Sequence, residues 1–338
     1  MKLNVNNTYS QLKEVLLGDV SFDFLKHLPS YKQHKVEYIL KQTQDDFLNI
    51  QSTLESEGIK VYRPSNTLRY DNKIQTPLWT ELGSRYPMAP RDIFLIVGNT
   101  IIESAPISRF RYFEHWAYKD IMIDYFKSGA KWVSMPKPLL GEESYHIDTS
   151  IYTTNYEPLL ESASVIQHNK DIFVSTQVTS NELGIRWLSD ILGDEYTIHK
   201  MGKRFVGHLD AHMCIVRPGL IASHNSKKDF PKYFKDWEFI NLGIEDTDIS
   251  KQQEFIHDNI QDDDHENTNL LVNLLSINEH KLLLYDHHKN NKKLLQQFDK
   301  YEIEPVFIPF KYCHFFNQGI TCITLETYRD DTADLGSR

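Results

Sequence analysis

Four times along the chain the same order of signals returns: two short apolar runs joined by a turn, a helical stretch, and a further strand-like run. DIFLIV, the turn GN and TIIES, starting at Asp92, read as a hairpin. A helical stretch from about Arg111 to Lys127 follows, and WVSMP at 132–136 closes the unit. The second unit opens with ESASVIQ from Glu161, the turn HNK and DIFVST, continues through SNELGIRWLSDIL, a helix opened by a serine cap, and ends in EYTIHKM. The third has its hairpin at 210–224 around Arg217-Pro218-Gly219, a helical piece from Pro231 to Asp236, and WEFINLG. The fourth runs NLLVNLLSI, NEH, KLLLYD, NKKLLQQFDKY and EPVFIPF. Short apolar runs bounded by turn residues are buried strands, and their recurrence with helices between them defines an α/β repeat.

A fifth unit exists only if the chain ends are joined. The strand Cys322-ITLETY would pair with LKEVLLGD near the N-terminus, which leads through a long helix, His34 to Glu57, into IKVYRP. Five hairpin, helix and strand units then form a ring closed by the N- and C-terminal strands, leaving no exposed sheet edge. The expectation is one catalytic domain spanning residues 1–338; an ordinary open α/β sheet is the alternative.

Aligning the units places Asp92, Glu161, Asp210, a residue near Asn267, and Cys322 at equivalent entries to their first strands. In a ring those entries converge. Just ahead of the third hairpin, His208, Asp210 and His212 share one face if the chain there is extended. Carboxylates gathered in one cavity are costly without a counter-charge, which points to a cationic ligand. Cys322 follows a glycine-containing turn, and a thiol becomes a nucleophile beside a group that favours the thiolate, here His208. Cys313 should lie at the periphery and Cys214 within a strand of the core. A guanidinium is planar and binds carboxylates in its plane. Asp92 and Asp210 would hold it flat, Cys322 would attack its carbon, His208 would protonate the departing amine, and Glu161 would orient His208. Each carboxylate taken singly also fits a strand-end cap or a surface ion pair.

The remaining composition narrows the class. A formal net charge of -10 with both signs interspersed argues against a nucleic-acid groove or an anionic membrane surface. No apolar run approaches bilayer length and the first residues lack a signal-peptide pattern, so a cytoplasmic location is expected. Three cysteines without metal-ligand spacing suggest reduced thiols. The acidic segment DNIQDDDHEN at 258–267 reads as a solvated loop, with a lid as its functional alternative, and His265 and the pair His287-His288 read as surface residues.

The chain resembles the amidinotransferases, a family that includes glycine amidinotransferase and the inosamine-phosphate amidinotransferases. The likeness runs through EGIKVYRP, PMAPRDIFLIVGNTIIESAP, RFRYFEHWAYKDIMIDYFKSGAKWVSMPKP, NELGIRWLSDILGDEYTIH and GHLDAHMCIVRPGL. It implies a five-bladed α/β propeller of the pentein type, and transfer of the amidino group of L-arginine to a primary amine through an amidino-cysteine, with neither cofactor nor metal. The family's nucleophile falls on Cys322, its acid/base histidine on His208, its guanidinium-binding aspartates on Asp92 and Asp210, and the histidine's partner on Glu161. An arginine that grips the donor's carboxylate aligns with Lys227. The chain departs from the family at Leu160-Glu161-Ser162-Ala163, where the glutamate resembles arginine deiminases and dimethylarginine hydrolases, and at Asn317-Gln318-Gly319-Ile320-Thr321-Cys322. The expected partners are a guanidino donor and an amine acceptor, with no nucleic acid or membrane and a homodimer left open. The runner-up is a guanidine-modifying hydrolase; a metal site of His208, Asp210 and His212 and a catalytically silent binding protein stand behind it.

Overall fold

A computed structural model describes residues 1–22, 25–26, 28–64, 73–82, 87–145, 153–242, 272–310 and 312–331. In chain order, strand β1 (Gln11–Leu17) leads to helix α1 (Ser30–Ser56) and β2 (Lys60–Tyr62), followed by a ribbon of β3 (Lys73–Gln75) and β4 (Thr80–Leu82). The helical turn α2 (Pro90–Ile93) delivers the chain to β5 (Phe94–Val97) and β6 (Thr100–Glu103), then to α3 (Lys119–Lys127) and β7 (Lys131–Ser134). The next unit is β8 (Val165–His168), β9 (Asp171–Val174), α4 (Glu182–Leu192) and β10 (Thr197–Lys200). It is followed by β11 (Met213–Arg217), β12 (Leu220–Ser223) and β13 (Glu238–Asn241). Strands β14 (Leu275–Asn278) and β15 (Lys281–Tyr285), helix α5 (Lys292–Lys300), β16 (Glu304–Ile308) and β17 (Thr324–Asp330) complete the chain.

Apart from the ribbon, these strands make five three-stranded sheets. In each, the first two strands are antiparallel and the third lies parallel to its neighbour. A parallel partner needs a crossover, and the helical segments supply it. In the sheet of β17, β1 and β2 the antiparallel pair comes from opposite ends of the chain, with Leu16 facing Leu325.

The strands are apolar on both faces because each face serves a different core. Phe94 and Ile96 of β5 pack with Leu16 and Leu325, whereas Leu95 and Val97 pack with Val165, Ile172 and Val174. Met213 and Ile215 of β11 join Ile166 and Phe173, while Cys214 and Val216 join Leu282 and Leu284. Leu275 and Leu283 pack with Leu12 and Val15 of β1. Every hydrophobic cluster named here is thus shared by two sheets. The fully buried Arg329 adds a polar tie, donating to the Ser276 carbonyl at 2.6 Å, to the Ser10 carbonyl and to Glu326.

Several local expectations are corrected. The stretch from Arg111 to Lys127 is not one helix: 3₁₀ turns at Arg109–Arg111 and Glu114–Tyr118 precede α3, because Arg111 and Glu114 turn inward to a buried pair. The helical piece expected in the third unit is present as a 3₁₀ turn, Lys232–Phe234. Helix α4 is capped by Asn181, which accepts from the Gly184 N–H at 2.8 Å, while the Ser180 hydroxyl donates to the Ser175 carbonyl. His288 is buried and beside Tyr285, not on the surface. The segment 258–267, with His265 and Asn267, lies outside the described residues. No helix among the described residues is long and apolar enough to cross a membrane.

Candidate active site

The segments entering the first strands of the five sheets carry the side chains of the site. Asp92 sits in α2 ahead of β5, Glu161 precedes the 3₁₀ turn Ser162–Ser164 ahead of β8, and Asp210 lies in the 3₁₀ turn Leu209–Ala211 ahead of β11. Asn273 stands ahead of β14, in the place expected near Asn267, and Cys322 ahead of β17. Close backbone approaches hold these entries. A Cβ on Gly184 would lie 2.0 Å from the Leu159 carbonyl oxygen, so glycine lets α4 seat directly against the residues before Glu161. Arg91 donates its backbone N–H to the Cys322 carbonyl at 3.3 Å and its guanidinium to the carbonyls of Ser162 and Val165. One residue therefore ties the entries carrying Asp92, Cys322 and Glu161.

The structure brings five of the six expected residues together. Glu161, 3 % exposed, accepts from the His208 ring through Nε2 at 2.7 Å and from the Ile107 N–H at 3.1 Å. That leaves Nδ1 of His208 toward Asp92, 3.8 Å from its Oδ1. Asp210 Oδ2 lies 3.9 Å from the Cys322 sulfur and accepts from the Thr321 hydroxyl at 2.8 Å. Thr321, one of the chain's departures from the family pattern, thus orients a carboxylate. Oδ1 of Asp92 and Oδ1 of Asp210 are both buried and have no hydrogen-bond partner among the described residues. A buried carboxylate oxygen without a hydrogen-bond donor is costly, and two of them, one on the aspartate beside the Cys322 sulfur and one on the aspartate beside His208, suit a ligand rich in N–H groups.

Lys227 stands apart from this cluster. It is exposed on the 3₁₀ turn Lys227–Asp229, donates to the Trp237 carbonyl at 2.6 Å and lies over the Phe239 ring. His212 also leaves the shared face expected for an extended chain, because the 3₁₀ turn at Leu209–Ala211 rotates it away. Its ring bonds the Val206 carbonyl at 2.9 Å and Asn225 at 3.2 Å, so His208, Asp210 and His212 do not converge as metal ligands. Cys313 is buried against α1, where its N–H donates to Asp46 at 2.9 Å; Cys214 is a core residue of β11.

Electrostatics follow from burial and neighbours. Burial works against a charge on His208, but Asp92, Glu161 and Asp210 outweigh it and push the imidazole up to about 9. Glu161, also opposed by burial, is held below its usual value by the His208 hydrogen bond and by Arg111. Burial raises Asp92, with His208 and Arg111 pulling the other way. Burial, then Asp210 and Asp92, drive the Cys322 thiol well above its ordinary value. The surroundings thus favour the charged form of His208 and the neutral form of the Cys322 thiol.

Three site residues escaped the sequence reading. Arg111 donates to Asp92 Oδ2 at 2.7 Å and grips both oxygens of Glu114. The pair at i and i+3 in RYFE was a visible signal for an ion pair, but nothing local tied it to Asp92. Asn273 donates to the Cys322 sulfur at 3.4 Å, and only the alignment of units pointed near it.

No family model matches the chain. Inosamine-phosphate amidinotransferase 1 of Streptomyces griseus is 31% identical over 261 residues, 70% of this chain and 75% of that protein. The L-arginine:L-lysine amidinotransferase of Pseudomonas savastanoi pv. phaseolicola is 29% identical over 318 residues, 88% of this chain and 81% of the relative. The solved structure of the Streptomyces griseus enzyme superposes with a TM-score of 0.82 at 27% identity, covering 98% of this chain and 97% of that one. A dimethylarginine dimethylaminohydrolase shares the fold at a TM-score of 0.59 and 11% identity, covering 93% of this chain and 99% of the other. With the strand-entry carboxylates, histidine and cysteine gathered as described, the chain belongs to the amidinotransferase family.

Proposed function

We propose that this protein moves the amidino group of L-arginine to a primary amine through a covalent amidino-cysteine on Cys322. In this reading the five sheets are blades of one ring-shaped catalytic domain spanning residues 1–338, with the site where their entries meet. The observation that carries the proposal is the pair of buried oxygens without a hydrogen-bond donor, Asp92 Oδ1 and Asp210 Oδ1, on the aspartates that stand beside His208 Nδ1 and the Cys322 sulfur. A guanidinium placed between the carboxylates satisfies both oxygens and brings a positive charge next to the thiol. That charge opposes the two carboxylates and favours loss of the thiol proton to solvent.

The thiolate then adds to the guanidino carbon, forming the S–C bond. Imidazolium His208 donates from Nδ1 to the departing nitrogen as the C–N bond breaks, and ornithine leaves. Glu161, ionised and bonded to Nε2, holds the imidazole in place and stabilises its charged form. The now neutral His208 takes a proton from the incoming amine as that amine attacks the amidino carbon, and collapse returns the pair of electrons to sulfur. The same donor specificity appears in the name of the Pseudomonas relative, an L-arginine:L-lysine amidinotransferase. Lys227, engaged with the Trp237 carbonyl, has no part in these steps.

Hydrolysis is the second reading, favoured by a glutamate at position 161 and by the fold shared with a dimethylarginine dimethylaminohydrolase. Incubation with arginine alone separates the two. A transferase releases about one equivalent of ornithine per site and gains the mass of one amidino group, turning over only when an amine is added. Continuous release of citrulline and ammonia without an amine identifies a hydrolase. Alanine at Cys322 should abolish both outcomes, whereas alanine at Cys313 or Cys214 should leave turnover measurable.

A further inference from the structure

We propose that Asn273 is a further catalytic residue, a fixed hydrogen-bond donor to the Cys322 sulfur that stabilises the thiolate when it forms and again when it is expelled. The inference rests on the reading of Cys322 as nucleophile. Asn273 is fully buried, and its carboxamide oxygen accepts from the Thr321 N–H at 2.6 Å and from the Cys322 N–H at 3.4 Å. A backbone N–H only donates, so these two contacts fix which end of the carboxamide faces the chain. The nitrogen is left toward the sulfur, 3.4 Å away, where it must donate. The donor is thus oriented before any substrate arrives, which costs no reorganisation at the moment charge develops.

The need for such a donor is visible around the sulfur. Asp210 Oδ2 stands 3.9 Å off and the residue is 2 % exposed, so both a like charge and desolvation oppose the thiolate. Against them work the Gly319 backbone and the Asn273 carboxamide. Gly319 has a second part in this. A Cβ there would lie 2.3 Å from Asn273 Oδ1 and 2.4 Å from its Cγ, so a side chain at 319 and the observed seat of Asn273 exclude each other. The glycine that remains in Asn317-Gln318-Gly319 is the one the asparagine requires.

The bond works at two steps. When the donor's guanidinium releases the thiol proton to solvent, the Asn273 N–H meets the new charge on sulfur. When the acceptor amine has added and the S–C bond breaks, the electron pair returns to a sulfur already bonded to the same N–H. Guanidinium binding itself depends on Asp92 and Asp210, neither of which Asn273 touches among the described contacts.

The test is the pH dependence of Cys322 alkylation by chloroacetamide, a neutral probe that needs neither donor nor acceptor, together with steady-state kinetics. For Asn273→Ala the thiol titration read by alkylation should rise by about one unit or more. The kcat should fall about 100-fold, the scale for losing one preorganised donor, with KM for arginine little changed. Gly319→Ala, which displaces the carboxamide without deleting a polar group, should shift the titration the same way and serves if Asn273→Ala does not fold. An alkylation profile in a folded variant that superimposes on that of the parent protein overturns the role of Asn273. Turnover surviving in Cys322→Ala would instead overturn the nucleophile reading, and the catalytic role with it, an outcome separable from the first because alkylation is measured without substrate.

Discussion

Replacing Glu161 by glutamine tests the electrostatic logic of the site at its centre. Glu161 accepts two hydrogen bonds, from Ile107 N–H at 3.1 Å and from His208 Nε2 at 2.7 Å. A glutamine has one acceptor oxygen and one NH₂ group, so it serves only one of these donors. With its oxygen kept on Ile107, its NH₂ faces Nε2 and demands an unprotonated nitrogen there. The charge and the hydrogen bond that Glu161 supplies to the imidazolium are both lost, while burial, which opposes that charge, stays. The imidazole should fall from about 9 by about one to two units, with Asp92 and Asp210 still supporting its charge. At pH 7.5 nearly all of His208 is charged in the parent protein, and about a quarter to three-quarters would be charged in the variant. Protonation of the leaving amine should weaken accordingly, lowering kcat at pH 7.5 by up to about fourfold. The assay is an NMR titration of the His208 ring in the free protein, supported by kcat at pH 7.5. A ring that still titrates near 9 in Glu161→Gln would refute the reasoning, because Glu161 would then not be what holds the proton on His208.

Three further expectations follow from the same geometry. Arg111→Met strips the cation from between Asp92 and Glu114, all three buried, and should cost about 3–5 kcal/mol of stability, read as a fall in the denaturant midpoint. Asparagine at Asp92 or Asp210 should weaken a guanidino ligand by about 2–5 kcal/mol, measured calorimetrically, and by a similar amount for arginine and for methylguanidine. A loss confined to arginine would mean that these carboxylates read the amino-acid tail. Arg329→Met leaves the Ser10 and Ser276 carbonyls without their buried donor and unpairs Glu326, so it should destabilise by about 3 kcal/mol while leaving KM for arginine unchanged in the folded fraction.

The sequence by itself determined the repeat, the strands and the places where polar groups enter them. Each β-strand buried on both faces writes its requirement into every residue. Phe94 and Ile96 belong to one core and Leu95 and Val97 to the next, so the run is apolar without a break and legible locally. A carboxylate or cysteine at the head of such a run stands out for the same reason, which is how Asp92, Glu161, Asp210 and Cys322 were found. Only the tertiary structure decided which atoms meet. Arg111 reaches Asp92 from 19 residues away and Asn273 reaches Cys322 from 49, contacts with no periodic signature. The 3₁₀ turn at Leu209–Ala211 separates His212 from His208, a distinction that spacing alone cannot make because an extended chain and a tight turn order the same three letters differently in space. The exposed seat of Lys227 was equally hidden, since a long charged side chain takes whichever partner the folded surface offers it, here the Trp237 carbonyl. Apolar burial is a property summed over many residues and survives in the order of the chain, whereas a hydrogen bond depends on a few tenths of an ångström set by segments far apart in that order.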